Sequence, residues 1–136
     1  MKLPDRFMVI DDDPVTTLIC GRALNKFSLI TPVKVFLDAE KALQEIEEEY
    51  GVDGTNIETL LFLDINMPSI TGWEFLDEFK DFNINIQNQF TIIILSSSID
   101  EHDREKAESN SFVCRFISKP LNQEKLTRLF IQEVTS

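Results

Sequence analysis

The chain has 136 residues, of which 43% are apolar and 27% charged, with 4 glycines and 5 prolines. These values are typical of one folded domain and exclude a disordered or low-complexity protein, so we expect a single domain over residues 1–136. Thirteen basic and 24 acidic residues give a net charge of -11. Because this charge repels polyanions, direct binding to nucleic acid is not expected.

The first six residues carry mixed charges and are not followed by the apolar stretch of a signal peptide. No apolar run in the sequence is long enough to cross a bilayer. The two cysteines, Cys20 and Cys114, match no metal-ligand spacing and fit a reducing compartment. We therefore expect a cytoplasmic protein without a membrane partner.

Five short apolar runs are separated by segments with helical spacing. Most of these runs are continuous rather than alternating in polarity, which is typical of strands buried on both faces. The predicted strands span residues 7–10, 33–37, 60–63, 90–95 and 112–117.

Five helices are predicted after these strands. Asp13 and Pro14 have the residue types preferred where a helix begins. Apolar residues of this first helix then recur at helical spacing: Val15, Leu18, Ile19, Ala23 and Phe27. The remaining helices are predicted over residues 38–50, from a capping box at residues 71–74, over residues 100–110 and over residues 122–133.

The regular alternation of strand and helix predicts an α/β fold, in which helices cover both faces of a parallel sheet. Two longer polar segments, residues 51–58 and 81–89, are predicted as loops.

Acidic, hydroxyl and basic residues directly follow four of the predicted strands. Residues 11–13 are all aspartate, Asp64 follows the third strand, Ser96 the fourth and Lys119 the fifth. Ligands of open parallel sheets bind beyond the carboxyl ends of the strands. We therefore expect these side chains to converge at one edge of the sheet.

Carboxylates crowded at one edge repel each other unless a cation neutralises them, and Mg²⁺ prefers carboxylate and carbonyl oxygens. A purely structural interpretation is available for Asp13, which fits a helix cap. It leaves the other two acids unexplained, so we expect Asp11 and Asp12 to contribute to a Mg²⁺ site.

A carboxylate beside a metal ion can attack phosphorus and form an aspartyl phosphate, which makes Asp64 a candidate nucleophile. Lys119 would pair with the new charge, and Ser96 would donate a hydrogen bond to the phosphoryl oxygens. Both residues also have structural interpretations. Lys119 fits a surface lysine before a proline turn, and Ser96 fits a hydroxyl that satisfies the end of a strand.

Four motifs together resemble the receiver domain of two-component response regulators, in the family's order and over nearly the whole chain. The motifs are Ile10-Asp11-Asp12-Asp13-Pro14, Leu63-Asp64-Ile65-Asn66-Met67-Pro68 with Gly72, Ile94-Leu95-Ser96, and Ser118-Lys119-Pro120. The resemblance implies a flavodoxin-like doubly wound sheet of five parallel strands in the order 2-1-3-4-5, with five helices.

The resemblance also implies a role for each site residue. Asp64 corresponds to the phosphoacceptor, and Ser96 and Lys119 correspond to the residues that contact the phosphoryl group. The implied ligands of Mg²⁺ are Asp11, Asp12, Asp64 and the backbone carbonyl of Asn66. Ser96 and Phe116 correspond to the switch residues, although Phe116 lacks the hydroxyl of the family's frequent tyrosine and also fits a plain core aromatic.

The implied function is a phosphorylation-activated signalling switch. The chain would accept a phosphoryl group from a histidine kinase or histidine phosphotransfer protein and catalyse only its own phosphorylation and dephosphorylation. It would then act on a downstream protein through the fourth helix, fifth strand and fifth helix.

Three other classes fit the sequence less well. A phosphohydrolase of the haloacid dehalogenase type would need a second acid where Asn66 stands, and a flavin-binding module would be repelled by the aspartates at residues 11–13. A degenerate receiver used as a scaffold is disfavoured because the acids, Ser96 and Lys119 are all present.

Overall fold

The computed structural model describes residues 1–97 and 100–131. Its strands are β1 (Arg6–Ile10), β2 (Val33–Phe36), β3 (Thr59–Leu63), β4 (Phe90–Ser96) and β5 (Val113–Ser118). They form one parallel sheet in the order β2-β1-β3-β4-β5. The predicted fold class and strand order are confirmed.

The described residues contain six helices, and the prediction of five was wrong. They are α1 (Pro14–Phe27), α2 (Ala39–Tyr50), α3 (Gly72–Lys80), α4 (Ile84–Gln87), α5 (Glu101–Ser109) and α6 (Gln123–Ile131). The additional helix, α4, is a single turn inside the segment predicted as a polar loop, residues 81–89. The last helix was predicted to run to residue 133, and residues 132 and 133 lie outside the described part of the chain.

The short helix α4 is stabilised by side-chain contacts that an apolar pattern does not reveal. Its cap, Asn83, accepts a hydrogen bond from the backbone N–H of Asn85 at 2.9 Å, and Ile86 is buried. The Nε2 group of Gln87 donates to three carbonyls at and just after the end of α3, those of Phe79 (3.2 Å), Lys80 (2.8 Å) and Phe82 (3.0 Å). These bonds tie α4 to the end of α3, where the last turn of a helix leaves carbonyls without intrahelical partners.

The central strands β1, β3 and β4 are buried on both faces, as their continuous apolar runs predict. On one face, Met8, Ile10, Leu61 and Leu63 pack with α2 and α3. On the other, Phe7, Val9, Leu60 and Phe62 pack with α1 and α6. No helix in residues 1–97 or 100–131 is long and apolar enough to span a membrane.

Of the five apolar residues whose spacing predicted α1, Ala23 and Phe27 are partly buried against the core. The other three are exposed, Val15 by 63%, Leu18 by 54% and Ile19 by 46%. The buried face consists of Thr17, Cys20 and Leu24. The Thr17 hydroxyl is satisfied because it donates to the Pro14 carbonyl at 2.9 Å.

Candidate functional site

The pairing of β1 with β3 places Asp11 beside Asp64. Ile10 pairs with Leu63, so the next residue of each strand is an aspartate at the carboxyl edge of the sheet. The backbone N–H of Asp64 donates to the Ile10 carbonyl at 3.0 Å, which continues the ladder to this edge. The two acids that the sequence predicts to converge therefore lie side by side.

Asp11 and Asp64 are almost completely buried, with 2% and 4% exposure, whereas Asp12 is exposed. One carboxylate oxygen from each of the three acids lies within 4.8 Å of the others. A hard divalent cation prefers such oxygen ligands and keeps several waters, for which the exposed side at Asp12 leaves room. The donor set of this cluster therefore fits Mg²⁺.

Lys119 joins the two buried acids. Its ammonium lies 2.7 Å from Oδ2 of Asp11 and 3.3 Å from Oδ1 of Asp64. Burial acts to lower the pKa of Lys119, but the hydrogen bond to Asp11 and the charge of Asp64 outweigh it, so the pKa lies above its ordinary value. Lys119 is therefore a permanent positive charge at this edge, and its interpretation as a simple surface lysine does not fit.

The pKa of Asp64 is raised above the ordinary value of an aspartate. Burial is the main cause and the neighbouring charge of Asp11 adds to it, while Lys119 and the backbone N–H of Asn66 act in the opposite direction. A buried carboxylate with few compensating donors is poorly solvated. The ionised form of Asp64 is therefore held at an energetic cost at this edge of the sheet.

Asp13 has a different role from the two acids before it. Its carboxylate accepts from the backbone N–H of Val15 at 3.0 Å and from the Thr16 hydroxyl at 2.8 Å, which confirms the predicted cap of α1. Its own backbone N–H donates to Oδ1 of Asp11 at 3.0 Å. The cap therefore also orients one of the buried acids.

Ser96 lies on β4, which pairs with β3 on the side away from β1, and Phe116 lies on β5, the next strand of the sheet. Ser96 ends β4, is completely buried and pairs with Ser118 of β5, while Ile94 pairs with Phe116. Phe116 is therefore diagonal to Ser96 across the two strands. It is half-buried and packs against the core on the α2 and α3 face.

The segment after β3 holds the remaining predicted ligand. Asn66 is exposed, and its backbone N–H lies 3.4 Å from Oδ1 of Asp64. The chain then turns into α3, where Thr71 and Glu74 form the predicted capping box. This turn keeps the backbone of Asn66 beside the acidic cluster, where its carbonyl was predicted to bind the metal.

One residue at the site was not found by sequence analysis. Lys125, in the first turn of α6, donates from its ammonium to the carbonyls of Ser118 at 2.7 Å and Pro120 at 2.9 Å. These two residues flank Lys119. The sequence offers no direct signal for this contact, because a lysine near a helix start has the appearance of an ordinary surface residue.

Known proteins share the sequence pattern and the fold of this chain. The family model of the response regulator receiver domain matches residues 7–130. The crystal structure of a two-component response regulator from Cytophaga hutchinsonii is 28% identical, with a TM-score of 0.84 over 99% of this chain and 100% of that one. A response regulator receiver protein from Dyadobacter fermentans is 25% identical, with a TM-score of 0.82 over 96% and 98% of the two chains.

A curated relative is longer than this chain. The protein-glutamate methylesterase/protein-glutamine glutaminase of Treponema denticola is 26% identical over 132 residues, which cover 96% of this chain. The chain spans only 32% of that protein's length.

A doubly wound five-stranded sheet with an acidic cluster and a lysine at its carboxyl edge defines a flavodoxin-like domain. Within that class, the chain belongs to the response regulator receiver domain family of two-component signalling.

Proposed function

We propose that Asp64 accepts a phosphoryl group from a phosphohistidine of a histidine kinase or histidine phosphotransfer protein. The observation that carries this proposal is the pair of buried carboxylates, Asp11 and Asp64, that share the Lys119 ammonium at 2.7 and 3.3 Å. Burying three charged groups at a sheet edge costs desolvation energy, and such perturbed groups concentrate at functional sites.

The bonds that form and break lie between Asp64, phosphorus and the donor histidine. A carboxylate oxygen of Asp64 attacks phosphorus and forms an O–P bond, while the P–N bond to the donor histidine breaks. The electron pair of that bond stays on the imidazole nitrogen, which then takes up a proton. Water later attacks the aspartyl phosphate and releases inorganic phosphate, which returns Asp64 to its carboxylate form.

Lys119 and Ser96 would interact with the negative charge of the phosphoryl group. Phosphorylation adds about two negative charges and several strong acceptor oxygens at Asp64. The Lys119 ammonium, already 3.3 Å from this carboxylate, supplies an opposite charge. Ser96, at the end of the adjacent strand, supplies a hydroxyl donor.

A magnesium ion fits the same edge. Its side-chain ligands would be Asp11, Asp12 and Asp64, and the backbone carbonyl of Asn66 would complete the protein's contribution. When bound, Mg²⁺ would offset the repulsion between the acidic cluster and the phosphoryl oxygens. Asp11 and Asp12 therefore serve the reaction by holding positive charge beside Asp64.

The modified chain would signal by contact with a downstream protein. Ser96 moving towards the phosphoryl group would leave space for Phe116, whose diagonal position couples the site to β5. The chain would act as an enzyme only on itself and would work in the cytoplasm, where histidine kinases present their phosphohistidine.

The test is intact-mass measurement after incubation with acetyl phosphate, with and without Mg²⁺. The parent chain is expected to gain a single phosphoryl group only when Mg²⁺ is present, and Asp64→Asn is expected to gain none. Asp77→Asn is the matched control, because Asp77 is an exposed aspartate on α3 outside the cluster. It should be modified like the parent.

Two results would contradict the proposal. If Asp64→Asn is modified to the same extent as the parent, the acceptor is another residue. If the parent is modified equally with and without Mg²⁺, the reaction does not depend on the metal. Circular dichroism of each variant confirms that the comparison is made between folded proteins.

A further inference from the structure

One side chain of α6, that of Lys125, bonds the main chain of the β5–α6 turn, residues 119–122, on both sides of Lys119. Lys125 donates to the carbonyls of Ser118 and Pro120 at 2.7 and 2.9 Å, and its ammonium lies 3.5 Å from the Ser118 hydroxyl. These acceptors stand immediately before and after Lys119. A single ammonium therefore holds the main chain on both sides of the lysine that contacts Asp11 and Asp64.

The main chain around Lys119 is paired on one side only within the sheet, while Leu121 of the same turn is buried in the core. β5 is the edge strand of the sheet, so only β4 pairs with it. On that side the backbone N–H of Lys119 donates to the Ser96 carbonyl at 2.8 Å. Lys125 contacts the carbonyls on either side of Lys119. From α6 it supplies the support that a second neighbouring strand gives to a strand inside a sheet.

The position of Lys125 in α6 is unfavourable for the helix itself. It is the third residue of α6, where the partial positive charge of the helix N-terminus favours acids and disfavours lysine. The helix already has a neutral cap, because Asn122 accepts from the backbone N–H of Lys125 at 2.9 Å. A residue that destabilises its own helix is expected to stabilise another part of the structure. The Lys125 ammonium makes its hydrogen bonds to the two carbonyls of the turn.

We propose that Lys125 is a positioning residue for phosphorylation: by holding the β5–α6 turn, it aims the Lys119 ammonium at Asp11 and Asp64. It acts through Lys119 and touches neither the phosphodonor nor the acceptor. This inference rests on the proposed function, because it concerns the rate at which Asp64 is modified.

The test compares Lys125→Met with Arg128→Met. Both variants remove one positive charge from α6, but Arg128 is exposed and pairs only with Glu124 on the same helix among the described residues. The rate of phosphorylation by acetyl phosphate with Mg²⁺ is measured over a range of donor concentrations. Lys125→Met should lower the maximal rate about tenfold and leave the half-saturating donor concentration unchanged, because small displacements of a charged group are costly. Arg128→Met should match the parent.

A second measurement reports the turn without any phosphorylation. Amide hydrogen exchange at Lys119, whose N–H donates to Ser96, should be several-fold faster in Lys125→Met than in Arg128→Met. Lys125→Arg keeps the charge and the donors, so it should recover most of the rate and of the protection. If Lys125→Met does not fold, judged by its urea transition, Lys125→Gln replaces it.

The two proposals fail in different ways. A parent chain that gains no phosphoryl group overturns the proposed function and this inference with it. A parent that is phosphorylated, together with a Lys125→Met variant of unchanged maximal rate and unchanged exchange at Lys119, overturns the role of Lys125 alone. Equal defects in Lys125→Met and Lys125→Arg would also contradict it, because the charge and its donors would then not be what matters.

Discussion

Gly72 occupies a place where no side chain fits. A Cβ atom there would lie 2.7 Å from the carbonyl oxygen of Asp64 and 2.8 Å from the Cα of Ile65, and both atoms belong to the main chain. The backbone N–H of Gly72 also donates to the Ile65 carbonyl at 3.0 Å. The start of α3 can therefore close against the chain beside the candidate acceptor only if residue 72 is glycine.

We expect Gly72→Ala to lower the free energy of unfolding by about 2 kcal/mol, because the added methyl forces main-chain atoms apart. Gly21→Ala is the matched control, since a Cβ at Gly21 in α1 meets nothing within 4 Å. That change should raise the free energy of unfolding by roughly 0.5–1 kcal/mol through helix propensity. Urea denaturation measures both, and two changes of the same sign would contradict the steric argument.

The main site residues could be predicted because each follows a strand directly. Asp11, Asp64 and Lys119 stand at strand ends that the apolar runs reveal, and parallel pairing then brings the ends together. Lys125 could not be predicted in this way. Its contact depends on how α6 packs against the β5–α6 turn, and the sequence pattern of a helix does not contain that geometry.

Helix α5 is held mainly by polar contacts at the described positions. Of its nine residues only Ala107 is buried. The indole N–H of Trp73 in α3 donates to Oδ1 of Asp103 at 3.3 Å, and the Lys106 ammonium lies 5.5 Å from the centre of the Trp73 ring. Trp73 therefore contacts α5 through both a hydrogen bond and a cation–π interaction.

We expect Trp73→Phe to loosen α5 selectively. The change removes the N–H donor and weakens the cation–π contact, which together stabilise the helix by about 1 kcal/mol. Amide exchange in α5 should become roughly fivefold faster, since local opening governs exchange there. Helix α2, which buries Ala39, Ala42, Ile46 and Tyr50, is the internal control. Equal acceleration in both helices would indicate global destabilisation instead.

The long helices were predictable and the details of two elements were not. Caps such as Asp13 and the Thr71–Glu74 box mark helix starts in the sequence, and the structure has helices there. Helix α4 has no apolar period, and it is held by Gln87, which donates to carbonyls at the end of the neighbouring helix α3. In α1, apolar residues occur on more than one side, so their spacing indicated a helix but not which side faces the sheet.

At the scale of the whole molecule, the chain has a net charge of -11, and three of its acidic residues, Asp11, Asp12 and Asp64, lie together at the site. Burial and the charge of Asp11 raise the folded-state pKa of Asp64 above its value in the unfolded chain. Between these two pKa values the folded state binds more protons than the unfolded state, so stability falls as the pH rises through that window. Above the folded-state pKa, the cost of the ionised carboxylate is fully present.

We therefore expect Asp64→Asn to be more stable than the parent at neutral pH in the absence of divalent cations. The difference should shrink as the pH falls below the ordinary pKa of an aspartate, about 3.9, because the parent's carboxyl is then protonated in both states. Asp77→Asn, which changes an exposed aspartate outside the cluster, is the control for the loss of one carboxyl group. Urea transitions over a series of pH values give these differences, and a constant advantage of Asp64→Asn at every pH would contradict the assignment to titration.

Adding Mg²⁺ should reverse the order of stability at neutral pH. A ligand that binds only the folded state stabilises it by about 1.4 kcal/mol when its concentration is ten times the dissociation constant. The parent keeps all three carboxylates of the cluster formed by Asp11, Asp12 and Asp64, so its urea midpoint should rise with Mg²⁺. Asp64→Asn has lost one of these charged ligands and should respond much less. An equal rise in both proteins would mean that Mg²⁺ stabilises the chain by general screening of its acidic surface rather than by binding at the sheet edge.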